Sequence, residues 1–185
     1  GNNSVTLNGY IQVRSVVADF TTDKQAICPG QSITFTDASL CNPANVQWQF
    51  AGGSPATAIG NNVEVTYSSP GFYDVVLIAT TPQGNDTLQQ VMAIQVFSPA
   101  NLTTSSTPNS GNGNGTATVN VNGGVAPYTY QWSDPQQQTT QTAANLLAGS
   151  YSVTVTDFNG CKSITSVTVE NQVSVGNIIA AGFIR

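Results

Sequence analysis

Residues 71–75 read GFYDV and residues 149–153 read GSYSV, two copies of one Gly-x-Tyr-x-Val pattern. A tryptophan stands upstream of each copy, Trp48 before the first and Trp132 before the second. In a β-sandwich, a tryptophan on one sheet plugs the core. A tyrosine at the start of a late strand buries its ring and bonds its hydroxyl back to the chain, the tyrosine-corner device. The glycine before it makes the tight turn that feeds the strand. The pattern therefore predicts an all-β chain of two tandem Ig-like β-sandwich modules. It assigns Trp48, Tyr73, Trp132 and Tyr151 to their cores.

The surrounding sequence agrees. Alternating or β-rich runs cover 5–13, 32–37, 46–50, 63–67, 73–80 and 89–96, then 115–121, 128–133, 151–157 and 162–169. Turn pairs such as Pro29-Gly30, Gly52-Gly53, Pro70-Gly71 and Gly84-Asn85 separate the first set. Helical periodicity is hard to find. Residues 97–115, FSPANLTTSSTPNSGNGNG, are polar and rich in Ser, Asn and Gly, and hold a linker and the entry into a second module, with the boundary near Pro99. The first 13 residues, GNNSVTLNGYIQV, align without a gap with GNDTLQQVMAIQV at 84–96, a repeat offset the size of one small β-domain. The expected organisation is an extra N-terminal strand (1–16) closing a preceding module, a sandwich over 17–98, a second over 99–170, and a tail or linker over 171–185.

Charged residues make up only 7% of the 185-residue chain, against roughly 25% in an ordinary soluble protein. Nine acids and four bases give a net charge of −5, too few bases for a phosphate-reading patch, which excludes nucleic acid as an expected partner. No apolar run approaches the roughly 18 residues that span a membrane. The start shows no basic segment followed by an apolar one, as a secretory leader would have, and this does not argue for the cytoplasm. The three cysteines are Cys28, Cys41 and Cys161. A Cys28–Cys41 disulfide around the run 29–40 suits an oxidising compartment, with two buried thiols as the alternative. Cys161 is then the odd one.

Few residues offer catalytic chemistry. With no histidine, the commonest general base and the Ser-His and Cys-His pairs are missing. The acids are scattered, so no carboxylate dyad is expected. GNGNG at 111–115 lacks phosphate-loop spacing and reads as a flexible turn. No cofactor is expected. For calcium, which needs six to eight oxygens, no Asp-x-Asp spacing occurs. Asp157 in TDFNG is the best single candidate, because carboxylate, amide and carbonyl oxygens meet in one turn.

Residues 18–97 resemble the PKD (polycystic-kidney-disease) domain. Ala18-Asp19-Phe20, the strand Ser32 to Asp37, Trp48-x-Phe50 and Tyr67-x-x-Pro70-Gly71-x-Tyr73-x-Val75 carry the likeness. The family's Trp-x-Phe-Gly-Asp-Gly is WQFAGGSP here, which removes the acid on which a calcium site at that turn would depend. Residues 122–169 resemble the SprB-type repeat of gliding-bacterium surface adhesins. That likeness rests on Gly123-Gly124, Pro127-Tyr128-x-Tyr130-x-Trp132, Leu146-x-Ala148-Gly149-x-Tyr151 and Thr156-Asp157-x-Asn159-Gly160-Cys161. The family often places a second cysteine near its first strand. Here that region is STPNSGNGNG, so no partner for Cys161 is found there.

These resemblances imply a secreted or cell-surface protein exported by a type IX system. They imply a non-catalytic adhesion or spacer segment of a larger protein, with neighbouring modules of the same polypeptide, surface polysaccharide or protein as partners. The alternatives are an accessory carbohydrate-binding or stalk module of a secreted hydrolase, and a strand-exchanging subunit of a surface filament that self-associates through terminal strands. Asp86-Thr87-Leu88 fits the Asp-Ser/Thr-apolar pattern of O-glycosylation in that bacterial group, which marks Thr87.

Overall fold

The computed structural model describes residues 15–172. The extra N-terminal strand and the apolar tail 173–185 lie outside the described residues. The chain divides into two compact units, the first ending at Val96 and the second starting at Phe97.

The first unit holds β1 (Phe20–Thr22), β2 (Ala26–Ile27), β3 (Gln31–Asp37), β4 (Asn45–Phe50), β5 (Gly53–Ser54), β6 (Thr57–Ile59), β7 (Asn62–Tyr67), β8 (Gly71–Thr81) and β9 (Gly84–Val96). They form two sheets, ordered β1-β3-β7-β5 and β2-β9-β8-β4-β6. All pairings are antiparallel except β2 with β9. Alternation explains the core. In β4, Val46, Trp48 and Phe50 point inward while Gln47 and Gln49 face solvent. Ile33, Phe35, Val65, Tyr67, Val75, Leu77 and Ile94 close the interior, each fully buried. Burying such side chains contributes roughly 1.5–3 kcal/mol apiece. The rings also meet specifically. Trp48 stacks on Phe50 at 5.7 Å, and Phe20 sets its edge against Trp48 at 5.6 Å. Each such pair adds about 0.5–1.5 kcal/mol.

The second unit holds β10 (Asn101–Thr107), β11 (Gly115–Asn122), β12 (Thr129–Trp132), β13 (Thr142–Leu146), β14 (Gly149–Thr156) and β15 (Lys162–Val169). Its sheets are β10-β11-β13 and β12-β14-β15. The core is smaller: Ala117, Val119, Trp132, Ala143, Leu146, Val153, Val155 and Val169.

One detail sharpens the sequence reading and two correct it. Within the segment read as a linker and the entry into a second module, the entry is β10, a full strand paired with β11 over seven positions. Its Thr and Ser residues lack an apolar alternation, but β-branched threonine suits a strand that has a partner. The GNGNG stretch is no flexible turn, because Oδ1 of buried Asn109 accepts the amides of Gly111, Gly113 and Asn114 at 2.9–3.3 Å. Finally, the Cys28–Cys41 bridge is absent. Cys41 is a free, exposed thiol, and Cys28 is disulfide-bonded, as is Cys161. β3 lies between Cys28 and Cys41, and its seven residues span about 20 Å at roughly 3.3 Å each. A disulfide needs Cα atoms within about 7 Å.

Candidate binding surface

The tryptophans and tyrosines named from the sequence sit in the cores. Trp48 and Trp132 are each 1% exposed. Their indole N–H groups donate to backbone carbonyls, Trp48 to Gly60 at 2.7 Å and Trp132 to Thr140 at 2.9 Å. Tyr73 and Tyr151 are partly buried against the two cores. The Tyr73 hydroxyl donates to Ser69 O at 2.8 Å and the Tyr151 hydroxyl to Leu147 O at 3.0 Å, both four residues upstream. The Tyr73 ring lies over Gly52, which has φ +67° and leaves no room for a Cβ. All four aromatics are thus committed to the fold and offer no stacking platform.

Asp157 is also committed. Its Oδ1 accepts the Cys161 amide at 2.9 Å and its Oδ2 the Val125 amide at 3.1 Å. The carboxylate thereby ties the 157–161 turn to the loop before β12. Both oxygens are engaged by backbone N–H donors. Among the described residues no cluster of three or more His, Cys, Asp or Glu side chains could hold a metal.

A second buried carboxylate, Asp134, was not singled out from the sequence beyond its place in a turn. Asp134 accepts the Gln138 amide and side chain at 2.9 and 3.0 Å and the Gln136 amide at 3.2 Å. Burial alone would push its carboxyl up. The Gln138 and Gln136 donors together outweigh that effect and hold it below its ordinary value. Asp-Pro at 134–135 is a turn signal, but nothing local reveals that Gln138 closes the network.

The open surface of the first unit lies on the outward face of its five-stranded sheet. Register aligns two rows across the strands: Thr57, Gln49, Val76 and Gln89, then Ile59, Gln47, Ile78 and Thr87. Directly paired residues share a face, so each row mixes amide, hydroxyl and aliphatic side chains. A depression of about 540 Å³ runs along β4 and β6 between Gln47 and Ile59. A second, of about 340 Å³, shares Gln49 and Thr57 with it and continues over β8 to Asp74, Val76 and Gln89. Beyond Asp74, β9 carries a bulge: Tyr73 pairs with Ile94 but Val75 with Gln90. This leaves two extra residues in β9, and Val91 and Met92 are exposed. Asp74 Oδ1 holds the bulge by accepting the Met92 amide at 2.8 Å. Thr87 is exposed on the same face, and the neighbouring Asp86 carboxylate accepts the Ala18 amide at 2.8 Å.

Comparison with known proteins identifies two modules. Residues 15–96 match the family model described as the PKD domain, and residues 103–137 match that of the SprB repeat. No curated protein matches. Among solved structures, the C-terminal 282-residue fragment of intimin, in complex with the translocated intimin receptor's intimin-binding domain, is 16% identical. That match has a TM-score of 0.46, and the alignment covers 85% of this chain and 65% of that one. A carbohydrate-binding module of the β-sandwich superfamily is 16% identical with a TM-score of 0.41, covering 87% of each chain. The titin I-band fragment I67–I69 is 12% identical with a TM-score of 0.41, covering 84% of this chain and 65% of that one. This chain therefore spans about two thirds of the intimin and titin fragments. The Ig-like sandwich assignment stands on the strand order itself, and the chain carries a PKD domain followed by an SprB repeat.

Proposed function

We propose that this chain is a non-catalytic adhesion and spacer segment of a larger extracellular bacterial surface protein, exported by a type IX system. The succession of a PKD domain and an SprB repeat carries the reading, since both modules are typically non-catalytic and point to extracellular or surface proteins. The surface chemistry supports it. The outward face of the second unit's β10-β11-β13 sheet is built mainly of hydroxyls and amides, with Thr107 bonded to Thr116 and Thr118 to Thr142 across strands. Such a surface stays hydrated without charge. No helix among the described residues is long and apolar enough to cross a membrane.

Antibodies against the chain, applied to intact and to permeabilised source cells, test this reading. Labelling of intact cells is expected, and labelling only after permeabilisation would overturn it. On this reading calcium plays no part, and the Asp157 oxygens serve two amides. Its melting midpoint is expected to stay the same on adding millimolar calcium. Exposed Thr87 is the O-glycosylation site of this reading, checked by intact mass of native material against a Thr87→Ala form.

A further inference from the structure

We propose that the amide-lined groove across β6, β4, β8 and β9 is a low-affinity binding site for a neutral glycan chain. The inference rests on the extracellular reading above and names the class of ligand. The donors and acceptors in the groove are unspent. Some glutamines outside the groove are engaged: Gln31 accepts the Cys28 amide, Gln138 pairs with Ala144, and Gln141 donates to Val119. Gln47, Gln49 and Gln89 make no side-chain hydrogen bond among the described residues, although they line one continuous groove. Each carboxamide both donates and accepts, which matches the paired hydroxyls of a sugar.

The spacing also fits. Each row steps from strand to strand at about 4.8 Å, comparable to one hexose, and the groove sets its amides beside aliphatic contacts from Ile59 and Val76. The groove size lies in the range of small-ligand sites, roughly 300–1,000 Å³.

Charge selects the class. The only ionisable group in the groove is Asp74, and one of its oxygens is already bound to Met92. An anionic polymer would meet a carboxylate and no cation. An acidic protein surface would find no complement, and a basic one would find a single carboxylate. A neutral polyol loses nothing by leaving water for amides that replace its hydrogen bonds. Without an aromatic platform, affinity falls in the millimolar range.

The test is affinity electrophoresis of the whole chain in native gels cast with hydroxyethylcellulose, pullulan or xylan, and with alginate as the anionic control. The wild type is expected to be retarded by at least one neutral polymer, with high salt making no difference. Gln47→Ala combined with Gln49→Ala is expected to weaken binding about tenfold, as is Gln89→Ala alone. Gln136→Ala, an exposed change in the other unit, should bind as the wild type does. These positions are solvent-exposed, and an unchanged melting midpoint verifies folding. The proposal is overturned by no retardation in any neutral gel, or by equal retardation of wild type and groove variants. Retention by alginate alone, or retention erased by salt, also overturns it. So does wild-type dimerisation in sedimentation that the groove variants abolish, since the face would then belong to a second copy. Surface labelling of intact cells stays positive whichever result is obtained, so failure of this site is distinct from failure of the extracellular reading.

Discussion

Two titratable side chains show how single residues are held. Tyr67 is fully buried, and its hydroxyl has no hydrogen-bond partner among the described residues. Burial, with the nearby Tyr73, pushes its pKa up to about 12. Because the folded form resists ionisation, the chain keeps full stability below the ordinary value of 10.0 and loses it as pH rises from there toward 12. Tyr67→Phe removes an unpaired buried hydroxyl at the same volume. It is expected to raise the unfolding free energy by about 1 kcal/mol and to abolish that alkaline loss, as read by urea melts at neutral and alkaline pH. Asp134 works in the opposite sense. Its pKa is depressed, so its stabilisation is present above the ordinary 3.8 and drains away as pH falls below it. Asp134→Asn cannot accept from the Gln138 side chain and both amides at once. The loss expected is about 1.5–3 kcal/mol at neutral pH, with a shallower acid limb. An acid melt matching the wild type's would refute the role given to this carboxylate.

At the scale of elements, the second unit protects its sheet edges with side chains. The Gln138 carboxamide accepts the Ala144 amide and donates to the Ala144 carbonyl, both at 2.9 Å, so it stands in for a missing neighbour of β13. On β15, the carbonyls of Ser166 and Thr168 take the hydroxyls of Thr104 and Ser106 from β10. An edge without such cover is a template for another chain. Gln138→Ala should therefore lower stability by about 1–3 kcal/mol and produce concentration-dependent association. Thermal melts and sedimentation read the two effects. A monomer with unchanged midpoint would show that the carboxamide protects nothing. These devices could not be read from the sequence. The β10–β15 contacts join residues far apart in sequence, such as Thr104 and Ser166.

For the whole molecule, the cysteines give the sharpest check. The native chain, without reductant, should label with a maleimide at one thiol, Cys41. All three cysteines should label after reduction under denaturing conditions. Two or more labelled thiols in the native oxidised chain would contradict the oxidised state of Cys28 and Cys161.

Alternation, turn residues and the paired Trp and Gly-x-Tyr-x-Val patterns determined the class of fold by themselves, because burying every second residue of a strand is a local rule. Val46, Trp48 and Phe50 face inward for no reason beyond their own positions. Local rules failed where partners decide. Residues 101–107 have no apolar alternation and became a strand through β11. Cys28 and Cys41 are near in sequence but held apart by β3. The groove needed the register of four strands to bring Thr57, Gln49, Val76 and Gln89 into one row. The sequence determined which residues leave water. The tertiary structure decided which of the remaining polar groups meet one another, because hydrogen bonds join groups by distance in space, and folding alone sets that distance.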